Sequence, residues 1–317
     1  MANIQPSKAN LLHTCCFILA LALVGPAPRL QATDFDVRSE TLVRGLERDT
    51  AKGEDQIVLP LYEYLSINYQ NLEEGGLSVH LYGWGRKDLA ESDLFEDDLN
   101  QEDPDGELLY GYLEYAEPYG GFNARLGRQH IFAGITNDTI DGAQLAVDVG
   151  SYLTFSAFGG LPAAYNEENG SGGDQIYGGR LAHYLGRAYQ IGFAYQKIVD
   201  DGEDITETAG VDLTADLSTR LSISGLSAYN VDTQGWREHR YDADLRLGPL
   251  LLSPRYHQFD YQDYFGDGEA PGANSLFRFL DDADETLTLY GGDAEMALGT
   301  QMILGAKAIQ YAYDLRD

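Results

Sequence analysis

Residues 240–247, RYDADLRL, divide cleanly by parity: Tyr241, Ala243, Leu245 and Leu247 are apolar or aromatic, while Arg240, Asp242, Asp244 and Arg246 are charged. A period of two is what an extended strand produces, because successive side chains point to opposite faces of a sheet. The pattern recurs. Val211, Leu213, Ala215 and Leu217 alternate with Asp212, Thr214, Asp216 and Ser218; Tyr189, Ile191, Phe193 and Tyr195 alternate with Gln190, Gly192, Ala194 and Gln196. Ala143, Leu145, Val147 and Val149 do the same against Gly142, Gln144, Ala146 and Asp148. Segments 251–262 and 286–298 break phase once, which points to bulges.

The links between these segments alternate in length. Tight links fall near Glu73–Gly76, Pro118–Gly121, Gly150, Gly186, Ser218, Gly248–Pro249 and Gly299. Longer polar links fall near 48–56, 90–106, 134–139, 163–174, 200–205, 231–235 and 265–285. Short turns at one end and long loops at the other are the pattern of a transmembrane antiparallel up-and-down β-barrel. A soluble sandwich with one wet face also alternates in sequence, but nothing makes it sort its loops by length. The expected fold class is therefore all-β.

About fifteen strands are expected, near 35–47, 57–71, 77–89, 107–117, 122–133, 140–149, 151–162, 174–185, 188–199, 206–217, 219–230, 236–247, 250–264, 286–298 and 301–314. Even counts are the rule for bacterial barrels, so sixteen or more are expected in a complete protein and the chain reads as truncated at its C-terminus.

Composition agrees. Among 317 residues there are 36 glycines and 22 tyrosines, residues favoured in turns and strands. A net charge of −30 excludes nucleic acid as a partner, since phosphate binding needs clustered Lys and Arg. Residues 1–32 read as a cleaved signal peptide: Lys8 is followed by the apolar run CCFILALALVGPA, too short to span a bilayer. Both cysteines lie in that segment, so residues 33–317, the expected barrel, carry neither disulfide nor thiol chemistry.

RLGRQHIFAGITNDTIDGAQL, residues 125–145, resembles a stretch of Gram-negative porin-like barrels, including the alginate-export type, through Arg125, Gly127, Arg128, Gln129, Ile140, Asp141 and Gly142. The resemblance implies an outer-membrane protein in contact with lipid and lipopolysaccharide, and a homotrimer is a common assembly in such families. Alginate is a poor cargo for this chain, because a polyanion wants a basic lumen.

Charged residues on the polar parity of each strand are the candidate pore lining. Arg125 lies opposite Phe122, Ala124 and Leu126; Arg128 is out of phase with it unless a bulge intervenes. Asp141 and Asp148 would oppose them, and Arg180, Arg255 and the Arg240, Asp242, Asp244, Arg246 ladder complete the set. Facing rows of opposite charge set the field that selects ions, and they also serve as plain structural ion pairs. The loop at 91–107 holds nine acids and no base, giving a negative vestibule and a cation bias; 266–285, with its LFRFL centre, is a second loop able to narrow a lumen. The acidic loop lacks the spacing of a dedicated calcium loop.

No catalytic motif surrounds His80, His130, His183, His239 or His257, and no haem-attachment or phosphate-loop signature is present, so no enzyme, cofactor or metal site is expected. The function expected is a pore for passive diffusion of ions or small polar solutes. The alternative is a barrel sleeve around a multihaem cytochrome in an electron conduit. A third reading makes the acidic loops an adhesive surface.

Overall fold

A computed structural model of the protein describes residues 33–49, 55–71, 76–90, 105–118, 120–163, 174–200, 203–265, 285–299 and 302–314. Residues 1–32, expected to be a signal peptide, most of the acidic loop and residues 266–284 lie outside the described residues.

The strands are β1 (Thr33–Val43), β2 (Leu46–Asp49), β3 (Asp55–Val58), β4 (Pro60–Asn71), β5 (Leu77–Asp88), β6 (Asp105–Ala116), β7 (Phe122–Ala133), β8 (Thr136–Val149) and β9 (Leu153–Pro162). They continue with β10 (Gln175–Leu185), β11 (Tyr189–Asp200), β12 (Glu203–Ser218), β13 (Leu221–Asn230), β14 (Gly235–Leu247), β15 (Leu250–Asp260), β16 (Thr286–Leu298) and β17 (Met302–Tyr313). One short helix, α1 (Tyr261–Phe265), follows β15. Fifteen strands form an antiparallel up-and-down sheet in chain order, and β2 and β3 pair separately as a two-stranded ribbon. This is the expected all-β class: β1 bonds β4, and from β4 to β17 each strand bonds the next in the chain.

Two compact units divide the chain, Met1–Pro118 and Tyr119–Asp317. In the first, registry puts Phe35, Val37, Leu65, Ile67, Val79, Leu81 and Leu113 on one face of β1 and β4–β6. The opposite face carries Asp36, Arg38, Glu40, Asn68, His80, Arg86 and Glu114. At the loop end Asp88 is fully buried, and its carboxylate accepts the backbone N–H groups of Leu59 at 2.8 Å and Ala90 at 3.1 Å. Those amides have no ladder partner there, so the side chain satisfies them.

In the second unit Leu126, Leu145, Phe155, Leu181, Ile191, Phe193 and Val211 share an exposed apolar face. The polar face of β7–β12 holds Arg125, Gln144, Ser156, Arg180, Gln190 and Asp212. The buried core of this unit is small: Ile131, Ala133, Ile140, Phe158 and Ile176, with Ile198 packed against it. It lies on the polar face, at the end of the β7–β8 hairpin.

Several boundaries differ from expectation, and one expected irregularity is absent. The link expected at 134–139 is only Gly134 and Ile135, because β8 begins at Thr136. β15 stops at Asp260, whose carboxylate accepts the Asp263 N–H at 3.0 Å and starts α1. The broken phase in 251–262 and 286–298 is not a bulge. β15 and β16 pair in unbroken register from Leu250↔Met296 to Asp260↔Thr286. Leu251 and Phe259 are simply apolar residues on the polar face, and Phe259 stacks edge-on with Tyr261 and Tyr264 of α1. Register shifts occur instead at Tyr82/Gly83, Ile198/Val199, Asp216/Ser218 and Ala228/Tyr229.

Candidate functional site: a charged face under a folded-over hairpin

Arg180 of β10 reaches across β11 to Asp212 of β12, with Nε–Oδ2 at 2.9 Å and Nη2–Oδ1 at 2.5 Å. Neighbouring strands lie about 4.8 Å apart, so both side chains must lie flat over the intervening strand. They can because β11 presents Gly192 there: a Cβ at this position would overlap the Asp212 carboxylate and the Arg180 guanidinium. With its carbonyl turned toward Arg180, the Gln190 amide accepts two more hydrogen bonds, at 3.0 and 3.1 Å. The fork geometry and charge make this a strong polar contact.

The tip of the β7–β8 hairpin covers this pair. Gly134, in the left-handed region at φ +67°, stands so close that a Cβ would lie 2.6 Å from Asp212 Oδ2 and 2.9 Å from the Ala194 Cβ. Gln196 of β11 donates to Asp138 of β8 at 2.6 Å, tying the hairpin to a strand it does not pair with. Beneath it the Ile131–Ile176 cluster removes apolar surface from water. The hairpin therefore stands over the polar face of β9–β12 by packing, one hydrogen bond and a glycine contact.

Eight of the ten residues expected to line a pore fall on the polar face by register: Arg125, Asp148, Arg180, Arg240, Asp242, Asp244, Arg246 and Arg255. They do not form one rung. Asp148 accepts from Thr154 at 2.6 Å, and Asp244 accepts from Ser253 at 2.5 Å. Arg255 stands opposite Asp242 yet pairs with Asp293 of β16. Arg240 lies 3.9 Å from Glu238, which also holds His257 at 2.9 Å. Arg246 and Asp244 line a cavity of about 550 Å³ at the tight-turn end, together with Arg187, Asp216 and Arg220.

Arg128 and Asp141 are corrected. They pair with each other at 2.6 and 2.7 Å on the face of Leu126, opposite to Arg125. β7 and β8 keep one register from Phe122↔Val147 to Ala133↔Thr136, so no bulge brings the two arginines into phase. Gly127, between the two arginines, adopts φ +126° within that unbroken register. Toward the hairpin tip polar groups enter the apolar face beside the exposed Phe132: beyond Arg128–Asp141, His130 hydrogen-bonds Thr139 at 3.0 Å and Asn137 at 2.9 Å. On β11–β12 the pair Lys197–Glu207 occupies the corresponding loop end.

Asp212, Gly192, Gln196, Asp138, Glu238 and Asp293 are site residues that sequence reasoning did not single out. Their parity was readable; their partners were not, since the key pairs cross a strand or run diagonally.

No protein-family model matches this chain, and no curated protein matches it in sequence. Among solved structures, a triple mutant of the Rhodopseudomonas blastica porin superposes with a TM-score of 0.46 at 10% identity, covering 88% of this chain and 94% of that one. An anion-selective porin from Comamonas acidovorans gives 0.42 at 13% identity, over 86% and 88% of the two chains. Pseudomonas aeruginosa OccK5 (OpdH) gives 0.45 at 11% identity, over 90% and 88%.

Proposed function

We propose that this chain forms the wall of a bacterial outer-membrane channel through which ions and small polar solutes diffuse passively, with cations favoured. The observation that carries the reading is a sheet with one exposed apolar face and one half-buried charged face. In the second unit Leu126 is 61% exposed, Phe193 56% and Leu181 50%, on a face shared by three consecutive hairpins. Soluble proteins do not leave a contiguous apolar surface of that extent in water. Lipid accepts it where the backbone polar groups are bonded strand to strand, as they are from β4 through β16.

The other face, with Arg180–Asp212, Arg255–Asp293 and His257–Glu238, suits a water-filled passage. The β7–β8 hairpin standing over it supplies a narrowing element. An excess of 51 acidic over 21 basic residues supports the cation bias. Nothing in this arrangement performs chemistry on a solute.

The test is conductance of the refolded chain in a planar bilayer under a KCl gradient. Steady openings with a reversal potential on the K⁺ side are expected. A Cl⁻-side potential would overturn the bias, and a folded but silent protein would overturn the channel.

A further inference from the structure

The first unit carries an aromatic surface on its polar face. One cross-strand row reads Glu40↔Tyr64↔Trp84↔Glu107, each residue directly opposite the next on β1, β4, β5 and β6. Tyr62 lies one row nearer the loop end, its ring 6.4 Å from that of Trp84. Toward the tight-turn end the surface continues with Tyr82–Tyr110 at 5.6 Å, Tyr110–Tyr112 at 6.1 Å and His80–Tyr112 at 5.0 Å. It ends at Glu114, 3.9 Å from His80. The rings are half-buried and half-exposed, and they stand among Ser66, Asn68 and Arg86 rather than among the leucines and valines of the other face.

Cross-strand aromatic pairs stabilise any sheet by a little, which explains neighbours but not the choice of face. The charge around the rings gives the reason. Arg86 is buried and held by Asp105 at 3.3 Å, so it is not offered to a ligand. Glu107, directly opposite Trp84, pairs with no cation among the described residues. Indole and phenol faces attract cations through their quadrupole, and a carboxylate beside them adds a full charge. Strands about 4.8 Å apart put Tyr64 and Glu107 on either side of Trp84, within reach of one ammonium-sized group.

From this charge complementarity we infer that the polar face of β4–β6 binds organic cations with an apolar or aromatic body, such as quaternary ammonium compounds, first at Tyr62, Tyr64, Trp84 and Glu107. The inference names a solute class for the channel reading and rests on that reading only for transport; binding is measured separately. The chain has two tryptophans, Trp84 and Trp236, so Trp236→Phe leaves Trp84 as the sole indole reporter.

Trp84 fluorescence of that variant, refolded in phosphatidylcholine vesicles, is titrated with benzyltrimethylammonium and with neutral benzyl alcohol. Saturable quenching by the cation at about tenfold lower concentration than by the alcohol is expected, and Glu107→Gln or Tyr64→Leu should each remove most of that preference. Equal response to both probes, a preference surviving Glu107→Gln in a protein that folds normally, or a response to maltotriose in place of the cation would overturn the inference. A silent channel with intact cation binding would sink the transport reading and leave this site standing.

Discussion

Arg180 and Asp212 belong to strands that do not pair, and their side chains meet over Gly192 of the strand between them. The pair exists because one position of β11 has no side chain, and the hairpin tip at Gly134 rests on top of it. Gly192→Val should therefore force the guanidinium and carboxylate apart and lift the tip. The expected loss is about 1–3 kcal/mol, the usual range for overpacking, read as a lower urea midpoint for the protein in lipid vesicles. An unchanged midpoint would mean that the pair and the hairpin re-form elsewhere at no cost.

Gln196→Ala removes the one hydrogen bond that ties Asp138 of the hairpin to β11. Stability should fall by only about 1–2 kcal/mol. Single-channel conductance should rise, with more open-state noise, because the hairpin is freed to move off the polar face. Conductance identical to that of the parent chain would show that the hairpin does not narrow the path.

Adjacent residues provide the sharpest check on the two faces. Leu145 is 47% exposed on the apolar face, and Gln144, just before it, lies on the polar face. Leu145→Arg should cost about 2–4 kcal/mol in lipid, or abolish assembly, whereas Gln144→Arg should cost under about 1 kcal/mol. Folding yield into vesicles, followed by the shift in gel mobility on heating, separates the two. Equal tolerance of both substitutions would remove the membrane assignment.

Arg220 and Arg246 line the cavity at the tight-turn end beside Asp216 and Asp244. Replacing both arginines with Gln leaves Asp216 and Asp244 facing Arg187 alone at that mouth. The K⁺ over Cl⁻ permeability ratio should rise by about twofold or more, most clearly at low salt where screening is weak. A ratio that does not move would place the selectivity of the path elsewhere.

Strand existence, strand number and most face assignments were legible in the chain, because parity along a strand is a local property. Tyr241, Ala243, Leu245 and Leu247 do share one face, and Arg240, Asp242, Asp244 and Arg246 the other. Parity along a strand does not by itself report a bulge or a shared rung. Apolar residues on the polar face, Leu251 and Phe259, looked like a bulge, though register runs straight through them. Arg128 looked like a companion of Arg125, though parity alone had already set them on opposite faces.

By itself the amino-acid sequence determined an antiparallel sheet of short-linked strands with one apolar and one charged face, since a two-residue period and turn-forming links leave few other folds open. It did not determine which charges meet. Arg180 finds Asp212 across β11, Arg255 prefers the diagonal Asp293 to the opposite Asp242, and Gln196 finds Asp138 on a folded-over hairpin. Those choices depend on side-chain reach across strand spacings, on a missing Cβ at Gly192 and on the packing of a few isoleucines, all of which exist only once the strands are side by side.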